Sequence, residues 1–592
     1  MLSRIFSNQA NHLWFQINSD SKGSTGGQST TSADPIISTH SFQFTPFVWM
    51  LLETALILLL FSAVAGQLPP DVNESHYLTK AKHFWNPAWC PNDLFLSSSF
   101  SHWLFYAAFG WISKFLSLSA FAWVGRVLTW AVLAYGWQRL SRSIIQLKMF
   151  SVLSAMFFLL LNERFHLAGE WIVGGFEAKG FAYAFVMLAL AKLNDKKWHQ
   201  VWPLLGIASL FHVLVGGWAL LAAAFSFCLC NKPNRGSKLP LGAAWDHARA
   251  NWGSILITAG LVLAAALPPL LADRNARPAD TAMAHSIYVN VRISHHLTFS
   301  AFTADRVARF SLLLLFGTWL FFWIKKDSKS LARRLQPLVW FTVGTLIIAY
   351  CGLILSGFAE QNDWASTRAA GLLRFYWFRI ADFAVPVTLS LACCLVLSKW
   401  LVFGPRKFHS VMPFLFTGII TTATGLMISE NYNDPRPVAD RSLPTYDDAP
   451  DRTVATWQNW KKVCQWIQTN TPEDAVFFTP SQQQTFKWYA HRTEVVAWKD
   501  IPQDAANIIE WRQRIATLHN PQLRFANGLL QYTDDQLLEL AQHYGATHLL
   551  APQFQVDLTP GGTKLKQVYP TDLAEKSTYV VFELGQESES GE

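Results

Sequence analysis

The stretch Phe47–Gly66, FVWMLLETALILLLFSAVAG, decides the fold, because Glu53 is its single charged residue. About 18 or more consecutive apolar residues are enough to cross the hydrocarbon core of a bilayer as a helix. Two later stretches have the same character, Trp252–Ala272 (WGSILITAGLVLAAALPPLLA) and Pro337–Ala359 (PLVWFTVGTLIIAYCGLILSGFA). Together with further apolar runs they predict an α-helical polytopic membrane protein with about 11 transmembrane helices.

The composition favours the same class and excludes others. The chain has 592 residues, of which 51% are hydrophobic and only 15% are charged, which is too apolar for a soluble protein of this length. Its net charge of +8 fits cytoplasmic loops rich in Lys and Arg, which set orientation in the membrane. We therefore expect a membrane-lipid environment and no nucleic-acid partner. The seven cysteines form no CxxC pair and no zinc spacing.

The distribution of basic residues predicts a topology. Residues 1–45 are polar and lack the order of a signal peptide, so we expect a disordered cytoplasmic tail. Residues 46–429 form the transmembrane domain, with a first outer loop at residues 67–119. The part near His102–Leu118 is expected to lie at the interface or to be re-entrant, so that only Ala120–Leu140 crosses and the basic residues after it stay inside.

The last part of the chain, residues 430–592, has a polar composition that differs from the rest. Helical periodicity in residues 457–470, 504–518 and 533–546 alternates with short β-rich runs. The runs are AVFFTP (475–480), TEVVAW (493–498), THLLAP (547–552) and TYVVFEL (578–584). We predict a C-terminal extracytoplasmic α/β domain of ordinary size.

Polar side chains gather in the segments that this topology places outside. The first outer loop contains PPDVNESHYLTKAKHFWNPAWCPNDLF (Pro69–Phe95), and other outer segments contain GGFEAKG (174–180), RISHHL (292–297) and LLRFYWFRIADF (372–383). The residues of interest are Asp71, Glu74, His76, Trp85, Asp93, Glu177, Lys179, Arg292, His295, His296, Arg374 and Arg379. Such one-sided placement predicts a site at the outer membrane surface.

This set of residue types suits the transfer of a group from a lipid phosphate. Arginines grip a phosphate at two points, and a carboxylate can act as general base toward an incoming hydroxyl. Sugar rings can stack on tryptophans such as Trp85, and an apolar groove would take the lipid. Two smaller expectations concern single groups. Arg379 and Asp382, three residues apart, could pair on one helix face, and His212 is expected to be a satisfied polar core residue.

The order of elements resembles the GT-C class of integral membrane glycosyltransferases. The likeness rests on NESHYLTKAKHFWNP (73–87) and on the following segment, which leads from PNDLF (91–95) to the arginine-led span GRVLTW (125–130). GEWIVGGFEAKGFAYAF (169–185) and FYWFRIADFAVP (375–386) look like a bacterial GT-C-like family. The resemblance implies a multi-pass protein of the bacterial inner membrane, with a cytoplasmic N-terminus and an extracytoplasmic active site and C-terminal domain.

The resemblance also implies roles for the residues. The donor would be a polyprenyl-phosphate sugar and the acceptor a lipid, glycan or protein. Glu74 would be the base or orienting acid and Asp93 the second catalytic acid, with Asp71 as the fallback. The phosphate would be held by Arg292, His295, His296, Arg374 and Arg379, while Asp71, His76, Trp85, Glu177 and Lys179 would line the substrate site. Asn73 stands where the class usually has an acid, which weakens a metal-dependent interpretation and leaves a divalent metal open.

Two alternatives remain open from the sequence. The chain could be a transporter or flippase of a lipid-linked or polar solute, or a non-catalytic scaffold that binds glycan in the membrane. A transporter should place charges near mid-span and often has paired repeats. Here the charges crowd one side and no repeat is evident, so the glycosyltransferase is the preferred hypothesis.

Overall fold

The computed structural model describes residues 45–230, 246, 248–403, 411–444, 450–519, 528–559, 561–572 and 577–585. Residues 1–44 of the expected cytoplasmic tail lie outside the described residues. The described part is mostly helical, with one small sheet close to its C-terminus.

Helices make up most of the described chain before the C-terminal region. In chain order they are α1 Pro46–Ala65, α2 Glu74–Trp85, α3 Trp103–Phe109, α4 Leu118–Ile144, α5 Phe150–Arg164, α6 Ala178–Asn194, α7 Trp198–Phe211, α8 Val213–Cys230, α9 Trp252–Ala272, α10 Pro278–Ser286, α11 Ser294–Leu297, α12 Ala304–Asp327, α13 Lys329–Ala359, α14 Asp363–Leu373, α15 Arg379–Phe403 and α16 Val411–Asn431. A 3-10 helix, Gly110–Lys114, follows α3, and a π-helix, Ile287–Arg292, follows α10.

Among the described residues, eight helices are long and apolar enough to cross a membrane, and they make the chain a multi-pass membrane protein. They are α1, α4, α8, α9, α12, α13, α15 and α16. Three further apolar helices, α5, α6 and α7, have only 15, 17 and 14 residues. The predicted total of about 11 spans, which would need all three, stays a prediction, as does the orientation.

The long apolar stretch of residues 102–140 contains one long helix rather than two. Trp103–Phe109 is a short helix, and the chain then enters α4, where the Ser117 side chain accepts a hydrogen bond from the Ala120 amide and caps the helix. The 27 residues of α4 contain the predicted crossing Ala120–Leu140.

The single acid of the first span is fully paired. Glu53 is completely buried and accepts hydrogen bonds from the Gln138 side chain of α4 at 3.0 Å and from the Met149 amide at 2.8 Å. A charge left alone at this depth would be costly, so such acids are usually paired. Glu53 thereby ties α1 to α4 and to the start of α5.

The C-terminal region is an α/β unit with a five-stranded mixed sheet. Its elements are α17 Pro450–Asn470, β1 Val476–Phe478, α18 Phe486–Ala490, β2 Thr493–Glu494, α19 Ala505–Leu518, α20 Asp534–Tyr544, β3 His548–Pro552, α21 Gln553–Asp557, β4 Lys566–Tyr569 and β5 Tyr579–Glu583. The strand order is β2-β1-β3-β5-β4, parallel from β2 to β3 and antiparallel from β3 to β4.

The C-terminal elements largely match the sequence prediction. The three helices expected from periodicity form α17, α19 and α20, and the four β-rich runs form β1, β2, β3 and β5. The edge strand β4 was not predicted, because Lys566 and Gln567 interrupt the apolar alternation that marks a strand. The predicted domain boundaries at 45/46 and 429/430 stay predictions.

Candidate functional site

A single large cavity lies where several candidate spans end and meet the outer loops and the C-terminal region. Its volume is about 890 Å³. Its walls carry eight basic side chains against four acidic ones, together with seven histidines. The basic ones are Lys80, Lys179, Arg292, Arg306, Arg374, Arg379, Arg441 and Lys499, and the acidic ones are Asp71, Glu163, Glu170 and Glu177. This excess of cations makes the cavity suitable for an anionic ligand.

Glu74, predicted to be catalytic, lies beneath the cavity wall and is not among the residues that line it. It is completely buried at the start of α2. Both carboxylate oxygens are occupied: Arg126 donates to them at 2.7 and 2.5 Å, and the amides of Asp71 and Phe176 donate at 2.7 Å each. Four donors saturate a carboxylate, so this position suits an orienting acid and gives no open oxygen for a base.

Two glycines allow the loop before α6 to pack closely on Glu74 and Asp71. A Cβ on Gly175 would lie 2.7 Å from Glu74 Cγ and 2.8 Å from Asp71 Cβ, and one on Gly174 would lie 3.0 Å from the Trp171 ring. No side chain fits in those spaces. The Gly-Gly pair therefore lets the backbone approach α2 closely, and the Gly175 amide donates to Asp71 Oδ2 at 2.7 Å.

Asp71, on the loop before α2, and Glu177, at the end of the loop before α6, both line the cavity. Glu177 Oε2 accepts from Asn73 Nδ2 at 3.1 Å and lies 3.6 Å from Lys179 Nζ. Its other oxygen, Oε1, is buried and has no hydrogen-bond partner among the described residues. Burial raises the pKa of Glu177, while Lys179 opposes the rise. The Lys179 ammonium in turn lies over the Trp171 ring, 3.4 Å from its centre.

Arg379 enters the cavity from the start of α15, but its partner differs from the prediction. Its Nε lies 2.9 Å from Glu170 Oε2, and Nη1 lies 3.0 Å from His212 Nε2. The expected pairing with Asp382 is wrong, because Asp382 Oδ1 and Oδ2 instead accept from the amides of Leu167, Ala168 and Glu170. Asp382 thus holds the loop that carries Glu170.

His296 of α11 packs against Gly169 of that loop. His296 Nδ1 lies 2.5 Å from the Ala168 carbonyl, which can only accept, so Nδ1 carries the proton. Burial lowers the pKa of His296 to about 3, so the ring is neutral at physiological pH. Gly169 has φ +78°, and a Cβ there would lie 3.2 Å from the His296 ring, which leaves glycine as the fitting residue.

Arg292, His295 and Lys499 form a cluster of basic groups that makes no ion pair with any described residue, although the carboxylates of Glu177 and Asp500 act on Lys499 from a greater distance. Arg292 Nε donates to the Trp498 carbonyl at 2.8 Å, and Lys499 Nζ has no hydrogen bond or ion pair to any described residue. Burial and the neighbouring Arg292 lower the pKa of Lys499 to about 8 and also lower that of His295. An anion bound at this cluster would relieve the repulsion.

Arg374 lies on the same side of the cavity and contacts the His285 ring. Burial and the nearby guanidinium lower the pKa of His285 to about 4, so the imidazole is neutral and can accept from Arg374. Arg374 therefore keeps donors that no acidic side chain occupies. All five residues predicted to hold a phosphate, Arg292, His295, His296, Arg374 and Arg379, line the cavity.

His76 joins the first outer loop to the C-terminal region. Its Nδ1 lies 3.1 Å from Asp500 Oδ1, and Asp500 Oδ2 lies 2.6 Å from Lys487 Nζ. Lys487 also contacts Glu494 at 2.6 Å and Asp93 at 3.3 Å. Although burial would raise it, Lys487 and His76 hold the pKa of Asp500 below its ordinary range.

Asp93, predicted as the second catalytic acid, belongs to this buried cluster and does not line the cavity. Its Oδ1 caps the Leu96 amide at 2.9 Å, and only 1% of the residue is exposed. Trp85 is also outside, at the end of α2, where Nε1 donates to the Tyr106 carbonyl at 3.0 Å. The structure therefore brings nine of the predicted residues to one cavity and leaves out Glu74, Asp93 and Trp85. Catalytic roles for Glu74 and Asp93 remain untested.

Sequence reasoning did not select Lys499, which lines the cavity, or Asp500, which does not line it but contacts His76. Lys499 and Asp500 belong to the region predicted as a separate domain, and no local pattern places them beside His76. His212, expected in the core, is satisfied by Arg379 but also lines the cavity. Glu170 was visible as an outer acid, and only the fold shows that it pairs with Arg379.

One side of the cavity is apolar and continues onto candidate spans. Leu214 of α8 and Pro269 and Leu270 of α9 line it, and Leu270 is 63% exposed on a helix that little else covers. Pro268 has no amide proton, so the Ala264 carbonyl loses its helical partner and instead accepts from Trp103 Nε1 at 3.1 Å. The cavity thus has a polar interior and an apolar exit.

Within the described ranges, no group of three or more His, Cys, Asp or Glu side chains is arranged to hold a metal ion. Asp71 and Glu177 are the carboxylates that a divalent cation entering the cavity would contact, with Asn73 beside them. Carboxylate and amide oxygens are suitable ligands for such a cation.

Comparisons with known proteins give limited matches. A family model described as a domain of unknown function, DUF6798, matches residues 458–518, a segment that includes Lys487, Lys499 and Asp500. No curated protein matches the chain.

Three structures of an archaeal enzyme are similar in outline. The apo oligosaccharyltransferase of Archaeoglobus fulgidus is 11% identical over 86% of this chain and 70% of that chain, with a TM-score of 0.44. The oligosaccharyltransferase AglB of Archaeoglobus fulgidus, in complex with an inhibitory peptide and a dolichol-phosphate, is 12% identical over 85% and 69%, with a TM-score of 0.43. The Archaeoglobus fulgidus complex with Zn and sulfate is 12% identical over 90% and 72%, at 0.38. At TM-scores this low, the likeness carries no conclusion about fold or activity.

Proposed function

We propose that the chain is a GT-C-like glycosyltransferase that moves a sugar from a polyprenyl-phosphate donor to an acceptor lipid, glycan or protein outside the cytoplasm. One observation carries the proposal. A single cavity combines a basic cluster that makes no ion pair with described residues, two carboxylates on neighbouring loops, and an apolar exit along candidate spans. A lipid phosphate that carries a sugar has the matching three parts.

The charge of the basic cluster and the apolar exit support one orientation of the donor in the cavity. Its phosphate binds near Arg292, Lys499 and Arg374, whose donors have no acidic partner, and charge-assisted hydrogen bonds of this kind are the strong ones. His295, His296 and Arg379 complete that side of the cavity. The prenyl chain leaves past Leu214 and Leu270 toward the lipid, so the donor need not leave the membrane.

The acidic part of the cavity wall, with Asp71 and Glu177, binds the sugar and the acceptor. Asp71 and Glu177 face the cavity and accept hydrogen bonds from sugar or acceptor hydroxyls, while Lys179 and Trp171 border the same loop. Glu74 acts as the orienting acid, because it fixes Arg126, Asp71 and the amide of Phe176. A divalent cation would bind at Asp71 and Glu177, and transfer assayed with Mg²⁺ or with EDTA decides that point.

The proposal includes a location. The N-terminus is cytoplasmic, and the cavity and the C-terminal region face the outside of a bacterial inner membrane, where lipid-linked sugars would reach it from the bilayer. Cysteine pairs introduced on the two sides of α4 and labelled in intact cells would test this orientation.

The decisive experiment is a transfer assay in liposomes with radiolabelled polyprenyl-phosphate sugars and a membrane extract as acceptor. Wild type should move the label, while Asp71→Asn and Glu177→Gln should lose about 10–100-fold of the rate, as expected when a hydrogen bond to a charged group, about 1.5–3 kcal/mol, is lost. Glu360→Gln, on an exposed turn after α13, is the matched control and should transfer normally. Label that crosses the bilayer without transfer would instead establish a flippase.

A further inference from the structure

We propose that His76 is the general base of this cavity, that Asp500 of the C-terminal region is its positioning residue, and that the acceptor is therefore a hydroxyl compound. The inference rests on the proposed function and adds a residue role and an acceptor class to it. Neither residue was predicted to be catalytic from the sequence.

The geometry of the pair is that of a base with an orienting carboxylate. Asp500 Oδ1 accepts from His76 Nδ1 at 3.1 Å, which leaves the lone pair of the ring on Nε2. His76 lines the cavity, and 17% of its side chain remains exposed there. Its Nε2 has no hydrogen-bond partner among the described residues. The ring is held against the Phe95 ring, with 4.0 Å between the two centres.

Asp500 is itself fixed by a second contact. Its Oδ2 lies 2.6 Å from Lys487 Nζ, so the carboxylate cannot rotate away from His76. The charged groups around His76 are Asp500 and Lys499 from the C-terminal region and Lys80 from its own helix, with His102 beside it. Burial lowers the pKa of His76 and Asp500 opposes this, so the ring is neutral and basic at physiological pH.

Glu74, Asp93 and Asp71 are less suited to this role. Glu177 has an Oε1 that is free of hydrogen bonds to described residues, and it faces Lys179 through Oε2. Glu74 has no free oxygen, and Asp93 lies outside the cavity. Asp71 Oδ2 is occupied by the Gly175 amide and Oδ1 by the Val72 amide, both at 2.7 Å. His76 offers an open lone pair at the cavity wall.

The proton and electron balance defines the acceptor. The acceptor hydroxyl gives its proton to His76 Nε2 as its oxygen bonds to the anomeric carbon. The bond from that carbon to the phosphate oxygen breaks, and the electron pair leaves on the polyprenyl phosphate. The imidazolium then returns its proton to water or to the released phosphate. Imidazole can assist a hydroxyl in this way, whereas an amide nitrogen is not made nucleophilic by it.

The test compares three variants of the full-length protein in liposomes. His76→Gln removes the base, and Asp500→Asn removes its orienting charge. Asp557→Asn is the matched control, because it makes the same change at an exposed aspartate of the C-terminal region that accepts from Gln553 and does not touch His76. We expect transfer to fall about 100-fold in the first two variants, to stay within about threefold in the control, and to fall no further when the first two are combined.

The pH profile separates orientation from mere stability. The wild-type rate should fall on the acid side as His76 is protonated. Asp500 raises the pKa of His76, so Asp500→Asn should move the acid limb to lower pH, while Asp557→Asn should leave it in place. Transfer by His76→Gln within about threefold of wild type would overturn the inference and leave the proposed function standing.

A measurement that does not depend on sugar transfer distinguishes the role of His76 from the proposed function. Diethyl pyrocarbonate modifies an unprotonated, accessible imidazole nitrogen, and mass spectrometry should find the adduct on His76 of the folded wild type. Polyprenyl phosphate should protect it. A His76 that stays unreactive overturns the inference whatever the activity, and a wild type that transfers no sugar from any donor overturns the proposed function and the role of His76 in it.

Discussion

Glu74 and Arg126 form a two-point ion pair with almost no exposed surface, in which Arg126 Nε and Nη2 lie 2.7 and 2.5 Å from the two carboxylate oxygens. Glu74 begins the helix of the first outer loop, and Arg126 lies in the span α4. The pair therefore fixes the outer loop on the transmembrane part, and Arg126 Nη1 adds a hydrogen bond to the Gln67 carbonyl at 2.5 Å.

Removal of one partner of the Glu74–Arg126 pair should strongly reduce the stability of the folded protein. Glu74→Ala leaves Arg126 buried without its counter-ion, for which we expect a loss of about 3–5 kcal/mol of stability. Thermal unfolding in detergent measures it. Glu360→Ala, on an exposed turn, should change stability by less than about 0.5 kcal/mol. Equal melting temperatures for the two variants would show that the pair contributes little.

A methyl group on Gly175 should disturb the site. Because a Cβ would come within 2.8 Å of both Asp71 and Glu74, Gly175→Ala must shift the loop, at a cost of about 1–3 kcal/mol, and should lower transfer. Gly217→Ala is the control, since nothing lies within 4 Å of its Cβ position. Unfolding curves and transfer rates of the two variants are compared. A Gly175→Ala protein as stable and active as wild type would contradict this packing.

The basic cluster should determine donor affinity. Lys499→Gln removes a cation without a partner among the described residues, and the loss of one charged hydrogen bond, about 1.5–3 kcal/mol, weakens polyprenyl-phosphate binding roughly 10–100-fold. Tryptophan fluorescence titration in nanodiscs measures the Kd. Arg277→Gln changes an exposed residue that pairs with Asp280 and should leave the Kd unchanged. An unchanged Kd in Lys499→Gln would remove this group from the donor site.

Acid should destabilise the protein partly through His296. Burial lowers its pKa to about 3, against 6.5 in the unfolded chain. Below pH 6.5 the unfolded state therefore binds a proton that the folded state refuses, so stability falls as the pH drops from 6.5 toward 3. His296→Gln should flatten that part of the stability curve, measured by urea unfolding at stepped pH. His199→Gln, at an exposed position, should leave it unchanged, and equal slopes in all three proteins would refute the assignment.

Local patterns predicted the elements, whereas the partners needed the tertiary structure. The length of the apolar runs predicted the candidate spans, and helical periodicity predicted α17, α19 and α20, because both patterns depend only on residues close together in the sequence. Arg292, Arg374 and Arg379 were also expected to share one site, since all three occur in segments that the predicted topology places outside. No local signal shows that Asp382 binds backbone amides instead of Arg379, or that Glu74 is saturated.

The most distant pairings were the least predictable. His76 and Asp500 are 424 residues apart, and no alternation or capping pattern links them. Residue type alone was also an insufficient guide for Asp93. A sequence does not show whether an aspartate in a polar loop faces a cavity or, as here, neutralises a lysine such as Lys487. Burial decides between the two, and burial is a property of the completed fold.

The ionic cluster around Lys487 has a consequence for how the protein is made. Asp93 leaves the ribosome long before Lys487, with which it forms its ion pair, and His76 long before Asp500, which orients it. During synthesis, N-terminal segments form first, so the segment between α1 and α4 lacks these partners until translation is almost finished. A chain that stops before Lys487 would still insert its spans, but it would lack the partners of Asp93 and His76. We therefore expect the cavity to be completed only when translation is finished.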